Sequence, residues 1–104
     1  MNRVEQLEGL LAKGQDNALL RFGLGNTWLQ AGEPARAVEQ LRAAVRHDPA
    51  YSAAWKLLGK ALTEAGQIEA ARTAYEAGIQ AAETKGDVQA AREMKVFLQR
   101  LRKG

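Results

Sequence analysis

Three features of the sequence predict an all-α fold of about six helices arranged in antiparallel hairpins. The strong helix formers Ala, Leu, Glu, Gln, Lys and Arg dominate the composition. Apolar residues recur at spacings of three and four rather than two. A block of residues returns at an offset of 34. Strand-type runs of Val, Ile, Thr and aromatics are absent, and 104 residues suffice for one domain with a modest core.

The elements follow in order. Val4, Leu7 and Leu11, with Leu10 beside them, predict a first helix over 2–13. Gly14 ends it, and Gln15-Asp16-Asn17 supplies turn chemistry and an N-cap. The second helix spans 18–31 and stops at Gly32, and Pro34 falls in the first turn of the third. That helix closes near His47, because Pro49 forces Asp48 out of helical geometry. A fourth helix covers 52–65, with Ser52 in the place of a cap, and a fifth covers 67–83 after Gly66. Asp87 is the expected N-cap of a sixth, whose apolar face reads Ala90, Ala91, Met94, Phe97, Leu98 and Leu101. Short connections make neighbouring helices antiparallel.

Residues 18–51 aligned over residues 52–85 give six identities: Leu24/Leu58, Gly25/Gly59, Ala31/Ala65, Gly32/Gly66, Ala37/Ala71 and Ala43/Ala77. A glycine inside a helix costs about 1 kcal/mol relative to alanine, so Gly25 and Gly59 imply a helix crossing too close for a Cβ. Ala37 and Ala71 on the partner helices are expected to complete a small–small contact. Trp28, Leu62, Leu41 and Tyr75 stand around it as large anchors.

The order Trp-x-x-Leu-Gly-x-x-Leu followed by Ala-x-x-x-Tyr resembles the tetratricopeptide repeat. The second unit carries it as Trp55, Leu58, Gly59, Leu62, Ala71 and Tyr75, with Gly78 at the later small position. The first has Leu24, Gly25, Trp28, Ala37, Leu41, Ala44 and Pro49, and departs at Arg21, where a large residue would open the repeat. The likeness covers about 68 of the 104 residues. It implies one domain: an N-terminal capping helix (1–17), repeat 1 (18–51), repeat 2 (52–85) and a C-terminal capping helix (86–104). Shifting the register by two puts Ala91, Met94, Lys95 and Leu98 at the helix-contact positions of that last helix.

The resemblance implies a non-catalytic module that holds a peptide or protein partner in a concave groove lined by the first helix of each pair. By position the lining is Leu19, Phe22, Asn26, Leu29 and Gln30, then Ala53, Lys56, Lys60, Thr63 and Glu64. From the residues themselves, Leu19, Phe22 and Leu29 are apolar positions left over by contacts within the pair. Lys56 and Lys60 lie one turn apart and point the same way, an arrangement suited to a peptide with a hydrophobic residue and a carboxylate. Some family members clamp a C-terminal carboxylate with Lys and Asn. Asn26 matches one clamp position, but Phe22 and Leu57 replace the expected residues, so chaperone-tail binding is not predicted.

Charge and chemistry narrow the alternatives. The net charge is +3, yet 85–104 holds six bases against two acids, leaving −1 for the remainder. Arg92, Val96, Arg100 and Lys103 form a stripe on the last helix, which could meet phosphates. Nucleic-acid contact ranks third, after groove binding and self-association, because aromatics are not interleaved with the bases. With no cysteine, one histidine (His47) and one serine (Ser52), no nucleophile or metal ligand set is visible. Gly23-Leu24-Gly25 lacks the third glycine and the preceding strand of a phosphate loop. The expectation is a cytoplasmic monomer or weak homo-oligomer, with no cofactor, no metal and no membrane span.

Overall fold

The computed structural model describes residues 2–103, with Lys103 described by its backbone alone. Six helices follow in chain order: α1 (Arg3–Ala12), α2 (Ala18–Gln30), α3 (Pro34–His47), α4 (Ser52–Glu64), α5 (Ile68–Thr84) and α6 (Val88–Lys103). Each packs on the next, and α2, α4 and α6 also meet side by side. The result is a slab of 41 × 29 × 18 Å.

Local chemistry sets the boundaries. The Asn2 and Asn17 side chains accept from the Glu5 and Leu20 amides, both at 2.8 Å, and so satisfy orphan donors at the starts of α1 and α2. Asp87 accepts from the Ala90 amide at 3.2 Å at the start of α6. Ser52 departs from expectation. Tyr51 holds the cap position without a side-chain hydrogen bond, and Ser52 is the buried first residue of α4. Its hydroxyl donates to Asp87 Oδ2 at 3.2 Å, so it ties α4 to the α6 cap instead of capping its own helix. Four hairpins share one turn. The residue after Gly14, Gly32, Gly66 or Gly86 donates its amide back five residues, as Gln67 does to the Leu62 carbonyl at 2.8 Å. The glycine itself has φ between 77° and 85°, where an L side chain is strained.

The helix contacts correct the small–small expectation. A Cβ on Gly25 would lie 2.5 Å from Leu41 Cγ, and one on Gly59 would run into the Tyr75 ring. Each glycine is a notch that receives the large anchor of the partner helix. Ala37 and Ala71 are fully buried, but they do not fill that notch. Gly78 on α5 forms a third notch, filled by Met94 of α6 and the Trp55 Cβ.

The core runs the length of the slab in three clusters: Leu7, Leu20 and Leu24 between α1 and α2; a central one around Leu41, Leu58 and Leu62; and one around Tyr75, Met94 and Leu98. The two-residue shift in α6 places Ala91, Met94 and Leu98 inside. Lys95, the fourth expected contact position, is exposed and pairs with Glu83 at 2.8 Å. Among the described residues no further helix packs on that side of α6, so a charged residue is tolerated. Helix α5 has 17 residues against 14 in α3, close to the added turn that moves the register.

Candidate binding groove

The first helices of the hairpins, α2 and α4, together with α6, which packs on the other side of α4, bound a groove of about 510 Å³ on one face of the slab. Phe22 and Asn26 come from α2. Helix α4 supplies Ala53, Lys56, Leu57, Lys60, Thr63 and Glu64, which follow one another at helical spacing. Tyr75 of α5 reaches through above Gly59, and Phe97 of α6 closes the far side. A side chain on Gly59 would displace the Tyr75 ring, so the notch that holds the hairpin together also shapes the groove.

Aromatic contacts fix the walls. Phe22 stacks on Tyr51 with centroids 5.1 Å apart, and Tyr75 meets Phe97 at 5.7 Å in a tilted arrangement. Burial pushes the Tyr75 phenol above its ordinary pKa, offset in part by the Thr63 hydroxyl, with the Glu64 carboxylate adding to the rise. It stays a neutral wall. Thr63 donates to the Gly59 carbonyl at 2.8 Å, which orients its hydroxyl along the helix. Among the described residues the Asn26 side chain makes no hydrogen bond, so its donors and acceptor are unspent where it lines both this groove and the depression beside it.

The two lysines differ. Lys56 Nζ lies 3.1 Å from Glu93 Oε1, an ion pair that joins α4 to α6 beside the groove. Among the described residues Lys60 has no carboxylate within ion-pair distance. Glu64 follows one turn later, so α4 presents a compensated cation, a free cation and an anion in succession.

Of the eight sequence-predicted site residues, Phe22, Asn26, Lys56, Lys60 and Thr63 share this groove, as do Ala53 and Glu64. Leu19 does not. It is 72% exposed and lies in a neighbouring depression between α1 and α2 that shares Phe22 and Asn26 as a wall. Gln30, the last residue of α2, is exposed and away from the lining. Leu29 is only 8% exposed and packs in the central cluster with Val38, Ala61 and Leu62. Helix α2 buries against both α3 and α4, so its buried arc is wider than contacts within one pair imply. Leu57, Tyr75 and Phe97 line the groove without having been expected there. Their size was the signal in the sequence: large side chains at the edge of a thin core show one face outside it.

Arg92, Val96 and Arg100 are exposed at four-residue spacing along α6, and among the described residues neither arginine is in an ion pair. Arg100 sits over the Phe97 ring at 5.8 Å, and Lys103 lies outside the described side chains. Nearby, Lys95 and Arg102 reach Glu83 and Glu76 of α5. On the opposite end of the slab, Arg21 takes the position occupied by Trp55 in the second unit. It clamps Asp16 through two contacts of 2.8 and 3.0 Å, with Gln40 at 2.9 Å, and His47 Nε2 stands 3.0 Å from the same carboxylate. That carboxyl is held at about 2 by the Arg21 hydrogen bonds first, and then by Arg21 and His47 charge. Among the described residues no group of three His, Asp or Glu could hold a metal, and no helix is long and apolar enough to cross a membrane.

A tetratricopeptide repeat model matches residues 29–94, and a second model of the same description matches residues 4–49. The chain belongs to the tetratricopeptide repeat family. It is 57% identical over 98 residues to the TPR repeat-containing protein PA0015 of Pseudomonas aeruginosa, covering 94% of this chain and 93% of that one. The solution structure of protein BPP2914 from Bordetella parapertussis superposes with a TM-score of 0.84 at 47% identity, over 99% of this chain and 90% of that one. The TPR domain of Sgt2 from Aspergillus fumigatus shares the fold, with a TM-score of 0.75 at 23% identity, over 97% of this chain and 69% of that one. Tetratricopeptide repeats generally mediate protein–protein interaction and are generally non-catalytic scaffolds.

Proposed function

We propose that this tetratricopeptide repeat protein binds a peptide segment of a partner protein in the groove between α2, α4 and α6, and does no chemistry on it. The supporting observation is the lining: aromatic and aliphatic walls from Phe22, Leu57, Tyr75 and Phe97 beside unsatisfied polar groups on Asn26 and Lys60. A concave apolar surface with a few convergent polar groups is the usual form of a binding site. Such a groove holds an apolar side chain while the Asn26 amide pairs with the peptide backbone. The capping roles of 1–17 and 86–104 fit this reading, because α6 supplies a groove wall as well as an end.

The test is affinity capture from native lysate with wild type and two single variants. Ala53→Trp fills the groove from an exposed position, and Lys60→Glu reverses the free cation. Neither touches the core, and circular dichroism checks that both stay helical. A protein retained by wild type and lost by both variants supports the groove. Identical capture by all three overturns it.

A further inference from the structure

The charges along α4 restrict what the groove accepts, and this restriction deepens the reading just given and rests on it. Lys56 is compensated by Glu93 at 3.1 Å, Lys60 is free among the described residues, and Glu64 stands one turn beyond. Successive turns of a helix are about 6 Å apart along its axis for a spacing of four residues. A ligand lying along α4 therefore meets near-neutral, positive and negative points in order. We propose that the groove selects a peptide segment of a partner protein that sets a single acidic side chain beside a bulky apolar one. Lys60 is the acid's anchor, and Glu93 takes Lys56 out of use.

Three observations carry this. Phe22, Leu57 and Phe97 offer the apolar side chain a surface within the same cavity as Lys60. A second acid on the Lys56 side would have to displace Glu93, and one on the other side would face Glu64, so like charge rejects both. The Lys56–Glu93 pair is partly exposed, 36% and 42%. It is therefore weak as a source of stability, and its consequence falls on the groove's charge. Glu93 acts as a specificity-determining residue through Lys56.

The experiment is selection of linear peptides from a random display library on the full chain, followed by fluorescence anisotropy with the selected peptides. Wild type is expected to enrich one Asp or Glu next to Leu, Phe or Trp. Lys60→Glu should weaken those peptides by about tenfold or more and, in a fresh selection, replace the acid by Lys or Arg. Glu93→Gln should tighten peptides carrying a second acid by about twofold to fivefold, the range of an exposed ion pair. Both effects should shrink between about 50 and 200 mM salt, as interactions of exposed charges do. Enriched peptides that Ala53→Trp abolishes but Lys60→Glu leaves unchanged would overturn the charge selection while keeping the groove. Peptides bound equally by Ala53→Trp would overturn the groove reading itself. So would an absence of enrichment, and a dimer in sedimentation that Ala53→Trp dissociates would then make a second copy the occupant.

Discussion

At the scale of single residues, one position repeated across the two units takes different side chains for different reasons. Trp55 opens the second unit, and its indole N–H donates to the Pro49 carbonyl at 2.8 Å, so a large ring anchors the connection between hairpins. Arg21 opens the first, and anchors the α1–α2 loop instead through Asp16. The consequence is a pH dependence. The Asp16 carboxyl sits at about 2 in the folded protein, below its ordinary 3.8. A depressed carboxylate stabilises the fold above its unfolded pKa, and the contribution disappears as pH falls through the folded value. The urea midpoint of wild type should therefore exceed that of Asp16→Asn at about pH 5, with the gap closing between about pH 4 and pH 2. A gap that persists at the acid end would mean that Asp16 acts through something other than its charge. Residue chemistry was the part least legible in the sequence. Asp16 read only as turn chemistry, because its partners come from positions 21 and 47 and meet only once α2 and α3 are folded together. Lys56 looked equivalent to Lys60 for the same reason: Glu93, which distinguishes them, arrives from α6.

Between elements, the two hairpins use the same notch with different fillings, and this sets different tolerances. Leu41 enters at Gly25, and the Tyr75 ring enters at Gly59. Alanine gains about 1 kcal/mol of helix propensity at either glycine. Against that stands overpacking, which costs roughly 1–3 kcal/mol where neighbours cannot shift. Leucine has rotamers to yield with, whereas the Tyr75 ring is held between Gly59 and Phe97. Gly59→Ala should then lower stability by up to about 2 kcal/mol net, roughly 4–8 °C in Tm per kcal/mol for a domain of this size. Gly25→Ala should cost less, and Gly59→Ala with Tyr75→Leu should recover part of the loss. Thermal denaturation of the three variants decides it: equal losses at both glycines would mean that the fillings do not matter. Element boundaries were legible because their causes are local. Asn17, Gly32, Pro34, Gly66 and Asp87 each act within a few residues. The repeat was legible because glycine is costly inside a helix, and two such glycines in register mark a close approach made twice. What filled the notch was not, since spacing reveals that two helices approach closely but not which side chain enters.

Across the whole molecule, a stack of helices with contacts mainly between neighbours has stability that varies along its length. The middle of this stack is enclosed on both sides. Helix α3 alone buries Ala37, Val38, Leu41, Ala43, Ala44 and Val45. Helix α1 packs on α2 only, and Leu7 is its one buried residue. Helix α6 stands at the other end of the stack but is better held. Met94 fills the Gly78 notch, Asp87 joins it to Ser52, and Arg72 donates to the Leu101 carbonyl at 2.8 Å, near the negative end of its dipole. The ends are therefore unequal, and opening should begin at α1. Native-state hydrogen exchange should show α1 amides exchanging at least about tenfold faster than those of α3 to α5, with α6 between them, because segments with few buried apolar contacts open below the global free energy. This ordering bears on binding. The wall most easily lost borders the depression around Leu19, whereas the groove proper is built from α2, α4 and α6 and remains intact when α1 opens. Protection in α1 equal to that in α3 would show a single cooperative unit instead. The inequality of the ends would then have no consequence for how the groove is presented.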